Sequence, residues 1–235
     1  MNEAIRYVAE LKHVREVSLL GTADLSFWMD ALKNERLVPV EDHGKAQVLI
    51  VACASRFLSL HFAELSISVL VRRDEDGIEQ EGAYLTQAFN SSRCYAFIER
   101  TVFSTPYSHA GVRVSPVLPA FARLFKHGEL VFGAEMRAIA RIKEREPLRV
   151  GNDGWEGPVF LPANNRRKNR LERLFFAKIR GHTTTYQFLD SLDAVTIKLS
   201  QDIEILRSLV ESQFAGKEWA IRADATHAKS KTYDR

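Results

Sequence analysis

Short runs in which apolar and polar residues alternate are the main pattern of the sequence, and they predict a protein built mostly of β-strands. The clearest run covers residues 65–71, where Ser66 and Ser68 alternate with aliphatic residues. The polar stretch 72–82 predicts a turn that joins this strand to the next one in a hairpin. Further strands are predicted over residues 47–54, 57–62, 83–89, 112–117, 120–125, 129–142, 174–181, 184–189, 194–199 and 217–223.

Three segments instead have the three- and four-residue apolar spacing of amphipathic helices. Each segment begins near side chains that can cap a helix N-terminus. The predicted helices are residues 22–37 with Thr22 or Asp24 as the cap, residues 90–103 with Asn90, Ser91 or Ser92, and residues 200–214 with Ser200.

Two segments show neither pattern. Residues 143–170 are rich in Gly, Pro and charged side chains and predict a loop-rich excursion, either a lid or a surface loop. The polar tail 224–235, which contains His227 and Lys229, predicts a frayed chain end, with a tail folded back over a barrel mouth as the alternative. We expect one domain over residues 1–235.

The element order predicts the α+β class, with about ten short strands and few helices. A mostly antiparallel sheet of this size removes its unpaired edges by closing into a barrel. A barrel of about eight strands has an interior just large enough for side chains or one small ligand. The predicted fold is therefore a closed β-barrel with a few packed helices, and it favours a small-molecule site.

Composition and charge narrow the class of partner. Apolar residues make up 46% of the chain and charged residues 27%, which excludes collagen-like, coiled-coil and wholly disordered proteins. Lys and Arg number 33 against 30 Asp and Glu, and the resulting net charge of +3 lacks the strong basic excess that nucleic-acid binding needs. We expect no nucleic-acid partner.

Localisation follows from the apolar runs. The longest covers only residues 48–54, whereas a transmembrane helix needs about 20 apolar residues, so no membrane association is expected. Charged side chains interrupt the N-terminal stretch where a signal peptide would carry its apolar core. We expect a cytoplasmic protein, with a homo-oligomer left open.

Few residues suggest a metal, a cofactor or a reactive thiol. Cys53 and Cys94 are isolated and predict reduced, small apolar residues, and no residue pattern supports a thiol nucleophile. The histidines show no metal-ligand spacing, and no glycine-rich phosphate loop is present. We expect neither metal nor cofactor.

The central fifth of the chain, residues 64–113, resembles the acetoacetate decarboxylase family. The resemblance rests on FAELSISV, with Glu64 before an alternating strand, on the strand start at Tyr84 and Leu85, and on a following helix that ends near Arg100. It extends more weakly to the first helix and to FFAKIRG around Lys178. It implies the fold of that family and a pocket that Glu64 faces.

The chain departs from the family at the reacting centre. The family carries two adjacent lysines after a proline, one of which forms a Schiff base, whereas here Tyr107 and Ser108 follow Pro106. The family's arginine near the first helix is also missing, since Gly21 and Thr22 stand about where it is expected. The resemblance therefore implies the fold more strongly than the chemistry.

The segment ERTVFSTPYSHAGVR concentrates polar side chains around one proline turn. As a pocket mouth, it would supply Arg100 or Arg113 as an anion clamp and Tyr107 or His109 as a hydrogen-bond donor, with Glu64 as the general acid or base. The alternative is structural, with solvated ion pairs, an exposed loop histidine and a surface carboxylate.

Two further side chains are candidates for binding the substrate. Ser108 follows Tyr107 in the same turn, and Lys178 is the candidate for a replacement amine if its face of the strand points inward. A surface lysine is the alternative for Lys178. The basic run 166–173 lacks interleaved aromatic residues and predicts a solvated loop.

Two classes of function remain open from the sequence. In the first, the barrel binds a small oxo-carboxylate or related anionic metabolite, and a lyase, hydratase or aldol-type reaction uses Glu64 without a Schiff-base lysine. In the second, the barrel binds a small molecule or a partner without catalysis.

Overall fold

A computed structural model describes residues 5–75, 78–136, 145–163 and 173–234. The end of the strand predicted over 129–142, parts of the predicted excursion 143–170 and most of the basic run 166–173 lie outside these residues. In the described part, no helix is long and apolar enough to cross a membrane.

The elements alternate between long strands and short helices. In chain order they are β1 (Tyr7–Asp24), α1 (Leu25–Leu32), a 3₁₀ turn (Lys33–Glu35), β2 (Val38–Pro39), β3 (Glu41–Asp42), β4 (Lys45–Phe57), β5 (Leu60–Glu75), β6 (Ile78–Asn90), α2 (Arg93–Thr101), β7 (Tyr107–His109), β8 (Gly111–Ser115), β9 (Phe121–Lys126), β10 (Glu129–Met136), β11 (Arg149–Gly151), β12 (Trp155–Leu161), β13 (Arg173–Gly181), β14 (Thr183–Gln187), β15 (Asp193–Ile197), α3 (Glu204–Glu211), β16 (Ala215–Ser230) and β17 (Tyr233–Asp234).

Seven of these strands form a closed barrel in the order β1, β4, β5, β6, β12, β13, β16 and back to β1. Each strand pairs with its neighbour in an antiparallel manner, except that β6 and β12 are parallel. The predicted α+β barrel is confirmed. It has seven strands and is mixed, because the crossover from β6 to β12 brings the chain back in the same direction.

A second sheet, in the order β15, β10, β9, β8, covers the outside of the barrel. Its β8 contacts β1, β4, β5 and β6, and the hydrophobic core lies between the two layers. Leu65, Ile67 and Val69 of β5 point into this core, together with Leu124 and Phe132 of the second sheet. The predicted alternation in β5 is confirmed, and its serines occupy the opposite face, which lines the barrel interior.

The predicted helices form, but they are shorter than their patterns. Asp24 caps α1 by accepting a hydrogen bond from the backbone N–H of Phe27, and Ser92 caps α2 through the N–H of Tyr95. The cap predicted for the third helix is wrong, because Ile203 occupies that position and makes no side-chain cap.

Five segments differ from the sequence-based expectation. The predicted turn 72–82 is mostly strand, because β5 extends to Glu75 and β6 begins at Ile78. Residues 57–62 are not one strand, because Leu58 and Ser59 adopt positive φ angles of 45° and 68° in the tight turn between β4 and β5. The whole of β1 has no predicted counterpart. Residues 155–161, expected within a loop, form the barrel strand β12. The tail expected to fray from residue 224 continues β16 to Ser230 and is paired on both sides.

We expect the interface between the barrel and the second sheet to provide most of the stability. Leu65→Ala removes a fully buried side chain and should lower the free energy of unfolding by about 2–5 kcal/mol, measured by urea denaturation. Leu60→Ala, on the same strand but 54% exposed, should change it by less than about 0.5 kcal/mol. Equal losses for the two variants would contradict this location of the core.

Candidate functional site

Polar side chains form a row across the inner wall of the barrel. Asn90 of β6, Glu64 of β5, Cys53 of β4, Glu16 of β1 and Arg222 of β16 are direct partners from strand to strand. Direct partners on neighbouring strands share one face of the sheet, and the strands are about 4.8 Å apart. One row of the barrel interior is therefore polar, although the outward face of the same strands is apolar.

Glu64 and Tyr107 form the first pair in this interior. The hydroxyl of Tyr107 donates a hydrogen bond of 2.7 Å to Oε1 of Glu64, and Nδ2 of Asn90 approaches Oε2 at 3.3 Å. Tyr107 is held in place because β7 runs parallel to the end of β6, with Tyr107 opposite Ala88. Glu64 keeps part of its surface accessible despite its place inside the barrel.

Burial shifts both groups toward their neutral forms. It raises the pKa of Glu64, while the hydrogen bond from Tyr107 and the charge of Lys229 oppose this shift. Burial and the neighbouring carboxylates of Glu64 and Glu99 hold the pKa of the Tyr107 phenol well above its usual value. Tyr107 therefore stays a hydrogen-bond donor, and Glu64 is a carboxyl group suited to taking up a proton.

Lys229 and Glu99 form the second pair. Lys229 lies on β16, and its Nζ donates a hydrogen bond of 2.5 Å to Oε2 of Glu99 on α2. The hydroxyl of Thr105 donates to the same carboxylate oxygen at 2.8 Å. Both charged side chains are about four-fifths buried, so the ion pair is largely removed from water.

Aromatic rings surround the Lys229 ammonium group. Its Nζ lies 4.5 Å from the ring centre of Phe175, 4.8 Å from Phe103 and 5.9 Å from Tyr107. Aromatic faces attract cations and exclude water. The contact with the Tyr107 ring places Lys229 beside the Glu64–Tyr107 pair.

Glu16 is the centre of a third group. Its side chain is fully buried and accepts hydrogen bonds from the Ser18 hydroxyl at 2.6 Å, from Nη1 of Arg222 and from Nε2 of His227 at 2.6 Å. Burial alone would raise the pKa of Glu16, but the hydrogen bond and charge of His227, the charge of Arg222 and the Ser18 hydroxyl lower it to about 2. Glu16 is therefore a permanent anion at neutral pH.

Cys53 lies between the two carboxylates of the polar row. Burial and the neighbouring charges of Glu64 and Glu16 raise the pKa of its thiol well above the usual value. The thiolate is the nucleophilic form of cysteine. Cys53 is thus a neutral wall residue, as its sequence context indicates.

The structure brings together only two of the residues singled out from the sequence, Glu64 and Tyr107. Ser108 is next to them but accepts a hydrogen bond from Gln87 at 3.2 Å. His109 lies exposed at the end of β7. Only some side chains of the polar segment around Pro106 therefore face the barrel interior.

The three predicted cationic residues lie elsewhere. Arg100 is exposed and lines an outer groove, beside Arg173. Arg113 is exposed on β8, with its guanidinium over the Phe125 ring at 5.0 Å. Lys178 points away from the interior and pairs with Glu156 at 2.6 Å, because its face of β13 is the outward one.

Sequence reasoning missed the contribution of β16. Arg222, His227 and Lys229 all point inward from this strand, and the alternation of His227 and Lys229 with small residues was the available signal. The polarity of His227 and Lys229 instead suggested a solvated tail. A strand that lines a polar cavity has inward residues that resemble surface residues.

Comparison with known proteins gives a likeness of fold. No protein-family model matches the sequence, and no curated protein is similar to it in sequence. Among solved structures, acetoacetate decarboxylase from Legionella pneumophila is similar with a TM-score of 0.64 and 11% identity, over 99% of this chain and 88% of that one. A second acetoacetate decarboxylase structure is similar with a TM-score of 0.64 and 14% identity, over 100% and 92%.

A third similar structure is an enduracididine biosynthesis enzyme in complex with the condensation product of pyruvate and imidazole 4-carboxaldehyde. It has a TM-score of 0.62 and 12% identity, over 96% of this chain and 88% of that one. The chain therefore has the acetoacetate decarboxylase-like fold.

We expect Glu64→Gln to stabilise the protein at neutral pH. The raised pKa means that ionised Glu64 costs stability once the pH passes the unfolded-state value of 4.5, and a neutral amide avoids this cost. The melting temperature of the variant should exceed that of the wild type at pH 7, and the difference should vanish below pH 4.5.

Glu81→Gln, at an exposed position on β6, is the matched control and should leave the melting temperature unchanged at both pH values. A Glu64→Gln variant less stable than the wild type at pH 7, with no such loss at low pH, would show that the ionised carboxylate is stabilising instead.

Proposed function

We propose that the barrel interior binds a small oxo acid and that Glu64 and Tyr107 move a proton at the carbon beside its carbonyl group. The observation that carries this proposal is the 2.7 Å hydrogen bond from Tyr107 to Glu64, with the Lys229 ammonium group beside it. A proton acceptor, a neutral donor and a cation thus lie close together inside the barrel.

Each group matches one part of an oxo acid. The Lys229 ammonium attracts the carboxylate, the Tyr107 hydroxyl donates to the carbonyl oxygen, and Glu64 accepts a proton from the adjacent carbon. As the C–H bond breaks, its electron pair forms the enolate, whose oxygen the phenol stabilises. Reprotonation of that carbon from Glu64 completes an exchange, and the same step begins lyase, hydratase and aldol-type reactions.

Two further observations support an anionic ligand. A barrel of about this strand number is filled by side chains or holds one small ligand. One protein of the same fold binds a condensation product of pyruvate. In this chain Lys229 takes the clamp role that the sequence suggested for Arg100 or Arg113, because both arginines are exposed.

A binding protein without catalysis is the second candidate. It is favoured by Tyr107 and Ser108, which stand where the resembling family carries its two lysines. In that case the polar interior selects the ligand, and Glu64 accepts hydrogen bonds without moving a proton.

Solvent deuterium exchange into pyruvate, followed by NMR, distinguishes the two candidates. The wild type should accelerate exchange at the methyl group, and Tyr107→Phe should slow it by about 100-fold, because the phenol that stabilises the enolate is lost. Tyr95→Phe is the matched control, since Tyr95 donates to the carbonyl of Phe57 rather than to Glu64, and its exchange rate should equal that of the wild type.

Calorimetric titration with pyruvate, 2-oxobutanoate and acetoacetate supplies the other outcomes. Binding without exchange would establish the non-catalytic alternative, and no binding by any of the three would refute an oxo-acid site. Borohydride reduction in the same samples decides the role of Lys229: an unmodified chain supports the non-covalent step, whereas a ligand adduct mapped to Lys229 would show that its amine attacks the carbonyl.

A further inference from the structure

We propose that His227, held by Glu16, is a second proton-transfer residue of the barrel interior and acts on the bound oxo acid from the wall opposite Glu64. This inference rests on the proposed function and extends it, because it makes proton transfer two-sided. It gives a chemical role to the charged groups of the closing strand β16.

The hydrogen bond to Glu16 determines which ring nitrogen of His227 carries a proton. Glu16 is ionised at neutral pH and fully buried, and an ionised carboxylate can only accept hydrogen bonds. Nε2 of His227, at 2.6 Å from Oε2, must therefore be the donor. Nδ1 is left as the nitrogen that can take up or release a proton.

Nδ1 of His227 makes no hydrogen bond to the described residues. Within the described ranges, the only hydrogen-bonding partner of the His227 ring is Glu16, and the side chain retains 18% of its surface accessible. The bond through Nε2 therefore fixes the orientation of the ring.

The barrel order puts His227 across from Glu64. β5 and β16 are separated by β4 and β1 on one side and by β6, β12 and β13 on the other, so they form opposite walls. His227 and Lys229 are two residues apart on β16 and point the same way, with a separation of about 7 Å along the strand. A ligand held by Lys229 therefore has Glu64 on one side and His227 on the other.

The hydrogen bond with Glu16 holds the His227 ring in the arrangement of a carboxylate–histidine pair. Arg222 shares Glu16, so the carboxylate keeps a cationic partner when His227 is neutral. Cys53, with its raised thiol pKa, adds no competing charge.

The experiment counts which hydrogens of a methylene group exchange with solvent. C3 of 2-oxobutanoate carries two prochiral hydrogens, and in a fixed ligand each faces one side of the enolate plane. One base exchanges only one of them, whereas bases on opposite walls exchange both. We expect the wild type in deuterium oxide to label both positions, resolved by converting the product to a chiral derivative for NMR.

Variants then assign each hydrogen to a wall. His227→Gln retains an N–H that can donate to Glu16 but has no second titrating nitrogen, so it should label one position only, with the other slowed by about 100-fold. Glu64→Gln should label only the other of the two positions. His61→Gln, at an exposed histidine near the start of β5, is the control and should label both.

Each outcome separates this inference from the function on which it rests. Labelling of a single position by the wild type, or of both positions by His227→Gln at rates within about twofold of the wild type, overturns the role of His227 and leaves oxo-acid chemistry in place. No labelling by the wild type overturns both.

A second measurement does not depend on a folded variant. Ring ¹⁵N NMR of the wild type should show His227 protonated at Nε2, with the Nδ1 resonance moving when 2-oxobutanoate is added. A proton fixed on Nδ1, or an Nδ1 resonance that ignores the ligand, would contradict the proposal.

Discussion

The buried carboxylate of Glu16 is the constraint on which the barrel interior depends. A carboxylate removed from water is costly unless hydrogen bonds and opposite charges compensate it, and here Ser18, Arg222 and His227 do so together. Glu16 lies on β1, and its partners Arg222 and His227 lie on β16. The network therefore joins the first and the last barrel strands, and β16 also pairs with β13 to complete the ring.

The hydrophobic core and the polar interior occupy opposite faces of the same strands. β5 illustrates this division, because Leu65 and Ile67 pack against the second sheet while Glu64 and Ser66 face inward. We expect stability to come mainly from the outer layer, because the large fully buried side chains pack there. The inner wall carries the charged groups instead.

Whether a strand can be predicted from the sequence depends on the polarity of the face that lines the barrel interior. The Ser66 and Ser68 alternation and the helix cap at Asp24 are local patterns, and the structure agrees with both. β1 and the end of β16 escaped prediction because their inward residues, Glu16, His227 and Lys229 among them, have the polarity of a surface.

Two further differences have equally local causes. The turn at Leu58 and Ser59 contains neither Gly nor Asn, the residues that usually indicate positive φ. The strand pattern around Lys178 does not say which of its faces is inward, and only the assembled barrel shows that Lys178 lies on the outer one. Tyr107 was singled out by the polar segment around Pro106 and by the resemblance, and the structure places it beside Glu64.

A crystal structure of the protein grown with 2-oxobutanoate would show where the ligand binds. We expect ligand density inside the barrel, with its carboxylate at Lys229, its carbonyl oxygen at Tyr107 and its C3 atom between Glu64 and His227. Density for the ligand only in the outer groove beside Arg100 and Arg173, with apolar side chains filling the barrel, would contradict it.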